Sequence, residues 1–171
     1  MIHLYCGDGK GKTTCACGLA VRFAGSGGRV LFCQFLKDGT SSELKILRSL
    51  PSVCVLKTNF PPKFTYQMNE EEKRTASEMC TELLEKAAAL MIKESYGMLV
   101  LDEAVYAVSL GFLSEEKLID IVEDAGRQAE IVITGGNPGK ALIDSAAYGT
   151  EMKKIKHPFD TGAGAREGIE Y

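Results

Sequence analysis

The fold turns on residues 2–15, "IHLYCGDGKGKTTC". Ile2 to Cys6 form a short apolar run that stops at glycines, as a buried strand does. Helical apolar spacing starts at Lys12 and continues through "KTTCACGLAVRFAGSGG", residues 12–28. Between strand and helix lies a glycine- and lysine-rich turn. The phosphate-loop pattern G-x-x-x-x-G-K-[ST] places its first glycine five positions before the second. Gly11-Lys12-Thr13 completes that pattern, but Cys6 holds the first position and the glycine arrives one residue later, at Gly7.

Such a loop points backbone N–H groups at phosphate oxygens, at the start of a helix whose dipole favours anions. Gly7, Asp8, Gly9, Lys10, Gly11, Lys12, Thr13 and Thr14 are therefore the expected phosphate-binding set. Lys12 supplies a point charge and the Thr13 hydroxyl can hold Mg²⁺. Lys10 adds a second cation, which suits a long polyanion. The bland alternative is a glycine-rich turn with exposed lysines. A strand before, a helix after and an intact G-K-T-T argue against it.

The rest of the chain alternates in the same way. Expected strands are "RVLFCQF" (29–35), "SVCVL" (52–56), "MLVLDE" (98–103), "EIVIT" (130–134) and a sixth within "YGTEMKKIK" (148–156). Expected helices cover 42–50 with Ser42 as cap, 68–97 with an Asn69/Glu72 capping box and Gly97 as its end, 114–126 with Ser114 as cap, and 140–147. This predicts an α/β fold of the P-loop NTPase type (RecA-like): a mostly parallel sheet with helices on both faces. Residues 1–171 form one expected domain, and 157–171 a tail without periodicity. In such sheets ligands collect at the carboxyl ends of the strands. Gln34 to Asp38, Asn59 to Tyr66, Asp102 with Glu103, and Thr134 to Asn137 therefore converge with the loop on one candidate site. Asp102 and Glu103, at the tip of an apolar strand, are the expected Mg²⁺ partners. A helix cap at Asp102 is the alternative.

Composition narrows the function classes. Hydrophobic residues are 45%, charged residues 25% and the formal net charge −3, so no basic field draws the chain to nucleic acid. The six cysteines form no C-x-x-C pair and read as reduced apolar residues. No apolar run reaches membrane-spanning length, and Met1 is followed at once by the first strand; the cytoplasm is the expected compartment.

The loop "GDGKGKTT" together with "VLFCQFLK", "FTY", "VLDEAVYAVSLGFLSEEKL" and the ending "TEMKKIKHPFDTGAGAREGIEY" resembles the P-loop class of corrinoid adenosyltransferases, from residue 2 to residue 171. That family's loop typically reads G-[ND]-G-K-G-K-T-T, with the glycine where this chain has it. The resemblance implies transfer of the 5′-deoxyadenosyl group of ATP to the Co(I) of a reduced corrinoid, with release of triphosphate. It implies ATP and Mg²⁺, an electron donor such as a flavoprotein reductase, and is compatible with a homodimer. Lys10 and Lys12 would stabilise the leaving triphosphate. Phe64 and Tyr66 would face the lower side of the corrinoid and displace the axial ligand of cobalt, easing its reduction. Core packing is the alternative for both. Lys37 would contact phosphate or ribose, and Glu43 matches a frequent acidic position.

Two departures stand out. Gly136 occupies a position where the family commonly has arginine, with Lys140 the candidate replacement, and Tyr66 stands where tryptophan is frequent. The rival readings are a P-loop ATPase or small-molecule kinase, with Glu103 as base, and an ATP-binding module without transfer activity.

Overall fold

The computed structural model describes residues 1–56, 60 and 65–170, with backbone only at Tyr66 and Phe159. Its strands are β1 (Ile2–Cys6), β2 (Val30–Gln34), β3 (Val53–Leu56), β4 (Met98–Asp102), β5 (Glu130–Thr134) and β6 (Tyr148–Glu151). They form one sheet in the order β3-β2-β4-β5-β1-β6. Every pairing is parallel. The helices are α1 (Lys12–Gly25), α2 (Ser42–Ser49), α3 (Glu70–Glu94), α4 (Ala104–Ser109), α5 (Glu115–Gly126) and α6 (Lys140–Ser145).

Side chains of a strand alternate between faces, and the core divides accordingly. Val30, Phe32, Val100 and Val132 pack with Ala16 and Ala20 of α1 and Leu44 and Leu47 of α2. Leu31, Cys33, Leu99, Leu101, Ile131 and Ile133 pack on the other face with α3, α4, α5 and α6. Each fully buried leucine contributes about 1.5–3 kcal/mol from apolar burial. Helices on both faces of a parallel sheet are thus present as the sequence predicts. Among the described residues no helix is long and apolar enough to cross a membrane.

The local signals are mixed. The Asn69/Glu72 capping box forms in both directions, and the Ser114 hydroxyl accepts from the Lys117 N–H. Ser42, expected as a cap, is instead the first residue of α2; Ser41 precedes it in extended conformation and makes no side-chain cap bond. The helix expected to run to Gly97 ends at Glu94, because Ser95 adopts φ 53° and breaks the ladder before the glycine is reached. The sixth strand, expected within residues 148–156, covers Tyr148–Glu151. From there the chain bends away to brace the phosphate loop.

Candidate functional site

The displaced glycine has a structural reason. Cys6 is still a strand residue, level with Glu151 of β6. The chain turns one residue later, at Gly7, with φ 103°. A Cβ there would lie 2.5 Å from the Met152 carbonyl oxygen, and one at Gly9 2.6 Å from the same atom. The backbone just past β6 therefore presses on the loop and leaves no room for side chains. Hydrogen bonds fix that contact: Met152 N–H to the Cys6 carbonyl (2.8 Å), Gly9 N–H to the Met152 carbonyl (2.6 Å) and Gly7 N–H to the Gly136 carbonyl (2.9 Å). Lys154 N–H donates to the Asp8 carboxylate at 2.8 Å, which holds that acid below its ordinary pKa.

The amides of Gly7 and Gly9 are thus engaged with protein carbonyls. The amides that remain for an anion begin later. The first N–H of α1 to close a helical turn is that of Cys15, on the Gly11 carbonyl at 2.8 Å. Those of Lys12, Thr13 and Thr14 precede it and have no partner within the helix. Residues 8–14 line a cavity of about 270 Å³ together with Glu103, His157, Ile169 and Glu170. Lys12 folds back so that its ammonium donates to the Gly9 carbonyl at 2.7 Å.

A row of buried polar groups crosses the carboxyl ends of three adjacent strands. Register sets it: Gln34 is level with Asp102, and Leu101 with Ile133, so Asp102 and Thr134 end β4 and β5 side by side. Gln34 is 1% exposed, and Asp102 and Thr134 are fully buried. One Asp102 oxygen accepts from the Thr134 hydroxyl at 2.7 Å. The other accepts from Gln34 Nε2 at 3.0 Å and from Lys37 Nζ at 3.2 Å. Gln34 Nε2 also donates to Glu43 at 3.0 Å, which gives that acid a place in the row. Burial pulls the Lys37 ammonium down, but Asp102, Glu103 and Glu43 outweigh it and hold its pKa above the ordinary lysine value.

Asp102 therefore does not cap α4. The N-cap is Glu103, at φ 65° and ψ 12°, and its side chain makes no cap bond. Burial first, and Asp102 second, push the Glu103 carboxyl up, while Lys37 and Lys12 pull the other way. Of the two predicted acids, Glu103 lines the loop cavity, and Asp102 has both oxygens occupied behind it.

The tail reaches the loop, a contact with no signal in local sequence. Lys10 Nζ donates to the Ile169 carbonyl (2.7 Å) and to the Glu170 carboxylate (2.8 Å). Arg166 braces the same carboxylate through two guanidinium bonds of 3.1 and 3.0 Å. Lys154 pairs with Asp160 at 3.0 Å. Elsewhere, a Cβ at Gly136 would lie 2.6 Å from the Tyr106 ring, so the ring fills the space of a side chain there. Lys140 is 85% exposed on α6 and pairs with Asp144, not with the loop. Phe64 lies outside the described residues; Tyr66 belongs to a 3₁₀ turn over Thr65–Gln67. Phe60, on the same connection, is 5% exposed and packs against Phe112 at 6.3 Å between ring centroids.

A strand, a glycine loop and a helix N-terminus at the carboxyl edge of a parallel sheet, with an acid-tipped strand nearby, define an α/β protein of the P-loop type. The sequence matches the family described as ATP:corrinoid adenosyltransferase BtuR/CobO/CobP over residues 1–171, and the chain belongs to that enzyme family. A corrinoid adenosyltransferase of Escherichia coli (strain K12) is 31% identical over 173 residues, spanning 100% of this chain and 85% of the relative. The corrinoid adenosyltransferase CobA of Salmonella typhimurium (strain LT2) is also 31% identical over 173 residues, with the same coverage. A Pseudomonas aeruginosa relative of the same description is 28% identical over 172 residues, 100% of this chain and 83% of that protein. Among solved structures, the cytoplasmic domain of the Thermomonospora curvata type VII secretion ATPase EccC aligns over 98% of this chain and 22% of its own. Its TM-score is 0.49 and its identity 16%, too loose a likeness to argue from.

Proposed function

We propose that this chain transfers the 5′-deoxyadenosyl group of ATP to the Co(I) centre of a reduced corrinoid and releases triphosphate. Cobalt supplies the electron pair, the Co–C5′ bond forms, and the C5′–O bond breaks as triphosphate departs with its pair. The observation that carries this reading is the convergence of Lys10, Lys12 and the first amides of α1 on one cavity. Charge develops on the leaving triphosphate, and preorganised cations and N–H groups stabilise it there. No protein nucleophile is needed. Among the described residues that line the cavity there is no serine or cysteine. Positioning and electrostatics then account for the acceleration.

The residues fit a Mg²⁺ ion of a particular kind. Thr13 and Glu103 share the cavity. Among the described residues no group of three or more His, Cys, Asp or Glu could cage a metal. A small hard ion held by a hydroxyl and one acid, with phosphate oxygens and water completing its shell, matches that donor set. When bound, Mg²⁺ neutralises part of the triphosphate charge. Glu103 is the acid on the metal's side. Asp102 acts behind it, as counter-ion to Lys37.

The same reading takes residues 1–171 as one catalytic domain, with Phe64 and Tyr66 facing the lower side of the corrinoid. An electron donor of the flavoprotein-reductase class supplies the electron that reduces Co(II) of the corrinoid to Co(I). The test is an anaerobic reaction with ATP, Mg²⁺ and chemically reduced cobalamin. It follows the cobalt–carbon chromophore while phosphate products are resolved. Triphosphate formed in step with the chromophore is the expected result. Formation of ADP without the chromophore would replace this reading with an ATPase or kinase.

A further inference from the structure

We propose that Thr134 is the positioning residue that aims Glu103 at the phosphate loop, and that it does so through its hydroxyl. The inference rests on the reading of Glu103 as the acid on the metal's side. Thr134 closes β5 and is fully buried. Its Oγ1 stands between two neighbours, the Glu103 amide at 2.9 Å and an Asp102 oxygen at 2.7 Å. The proton directions are unambiguous. An amide can only donate, so Oγ1 accepts there, and its single hydrogen goes to the carboxylate. Valine has the same shape and can do neither; serine can do both.

The anchor behind the hydroxyl is itself buried and hydrogen-bonded. Gln34 and Lys37 hold the other Asp102 oxygen, so the position of Oγ1 is set by three strands at once. What it holds is strained. Glu103 has a left-handed backbone, uncommon for a residue with a side chain and kept only where the surroundings impose it. Two other non-glycine residues among those described share that conformation: Ser95 ends α3, and Leu36 follows β2 immediately before Lys37. The next residue after Thr134 tightens the fit independently. A Cβ at Gly135 would lie 2.5 Å from Val105 Cβ and 2.8 Å from the Tyr106 amide nitrogen, so α4 sits directly against the end of β5. Without the Thr134 acceptor, the Glu103 amide has no tether, and its backbone can relax away from the turn that sends the carboxylate into the cavity shared with Lys12 and Thr13.

The test compares Thr134→Val, Thr134→Ser, Glu103→Gln and the Thr134→Val/Glu103→Gln double variant in the full chain. Mn²⁺ serves as the paramagnetic stand-in for Mg²⁺, titrated in the presence of ATP. Amide hydrogen exchange at Glu103 is followed in metal-free protein. Thr134→Val should lower Mn²⁺ affinity roughly 10–100-fold, the usual effect of losing a partner behind a metal ligand. ATP affinity in chelator should be unchanged, and exchange at the Glu103 amide should accelerate. Thr134→Ser should restore both, and the double variant should bind Mn²⁺ no worse than Glu103→Gln alone. Wild-type Mn²⁺ affinity in Thr134→Val, equal failure of the serine variant, or additive losses in the double variant would overturn the proposal. If Glu103→Gln itself leaves Mn²⁺ affinity intact, the assignment of Glu103 to the metal fails. The exchange rate at its amide then decides alone whether Thr134 holds the turn.

Discussion

Asp102→Asn is the sharpest probe of the buried row, because it changes charge without changing volume. The carboxylate accepts three hydrogen bonds, from Thr134, Gln34 and Lys37. An amide offers one acceptor oxygen and two donors. If its oxygen faces Gln34 and Lys37, its NH₂ meets the Thr134 hydroxyl, whose hydrogen then loses the acceptor it had in the carboxylate. If it is flipped, the NH₂ confronts an amide and an ammonium. Either orientation leaves a buried donor without an acceptor, and Lys37 loses the ion pair formed at 3.2 Å with a fully buried partner. Breaking a buried pair from one side costs about 3–5 kcal/mol. Lys37 keeps 30% of its side chain exposed, so water softens its share and the lower end of that range applies. A loss near 3 kcal/mol lowers the melting temperature of a chain of this size by roughly 6–12 °C. Urea unfolding monitored by circular dichroism measures it directly: the midpoint should fall while the slope stays constant. A loss below about 1 kcal/mol, in the range of an exposed pair, would refute the claim that this row is a tightly coupled unit.

Two further outcomes follow from the loop. Glu170→Gln removes the anion that occupies Lys10, so ATP affinity should rise about two- to fivefold, the range of an exposed ion pair, with a larger effect at low salt. Weaker ATP binding in that variant would make Glu170 a helper of the nucleotide instead of its competitor. Glu103→Gln should stabilise the protein in a pH-dependent way. The folded-state pKa of Glu103 lies above its ordinary 4.5, so ionising it costs more in the folded than in the unfolded chain. Its favourable contribution is therefore complete below 4.5 and is lost as pH rises through the folded value. The variant should melt higher than wild type near neutral pH and gain nothing below pH 4; a gain independent of pH would point to packing.

The fold was legible because its signals are local. Apolar runs of five residues, a glycine-rich turn with G-K-T, and caps such as Asn69 and Ser114 each act within a few residues of themselves. The departures are also local. Ser95 adopts a left-handed backbone that glycine usually takes, so α3 ends at Glu94, short of the expected stop at Gly97. Ser41 and Ser42 offer the same capping chemistry, and only the turn before α2 chooses between them.

The site was half legible for a different reason. Periodicity and strand ends named Asp102, Glu103, Gln34 and Thr134 as neighbours of the loop, but their division of labour depends on register. Asp102 and Thr134 are 32 residues apart in sequence, and Asp102 and Gln34 are 68 apart. Only the pairing of β4 with β2 and β5 turns one acid of an Asp-Glu pair into a buried anchor and leaves the other at the cavity. The displaced glycine follows the same logic. Read alone, Gly7 is a departure from a pattern. With β6 alongside, it is the first position at which the chain clears the strand pairing, and the Met152 carbonyl at 2.5 Å from a would-be Cβ excludes any side chain there. The contact of Lys10 with Glu170, across 160 residues, had no signal at all. A lysine that looked like a spare cation for phosphate is held by the chain's own carboxylate, so on the proposed reading a triphosphate would have to displace Glu170 to reach Lys10.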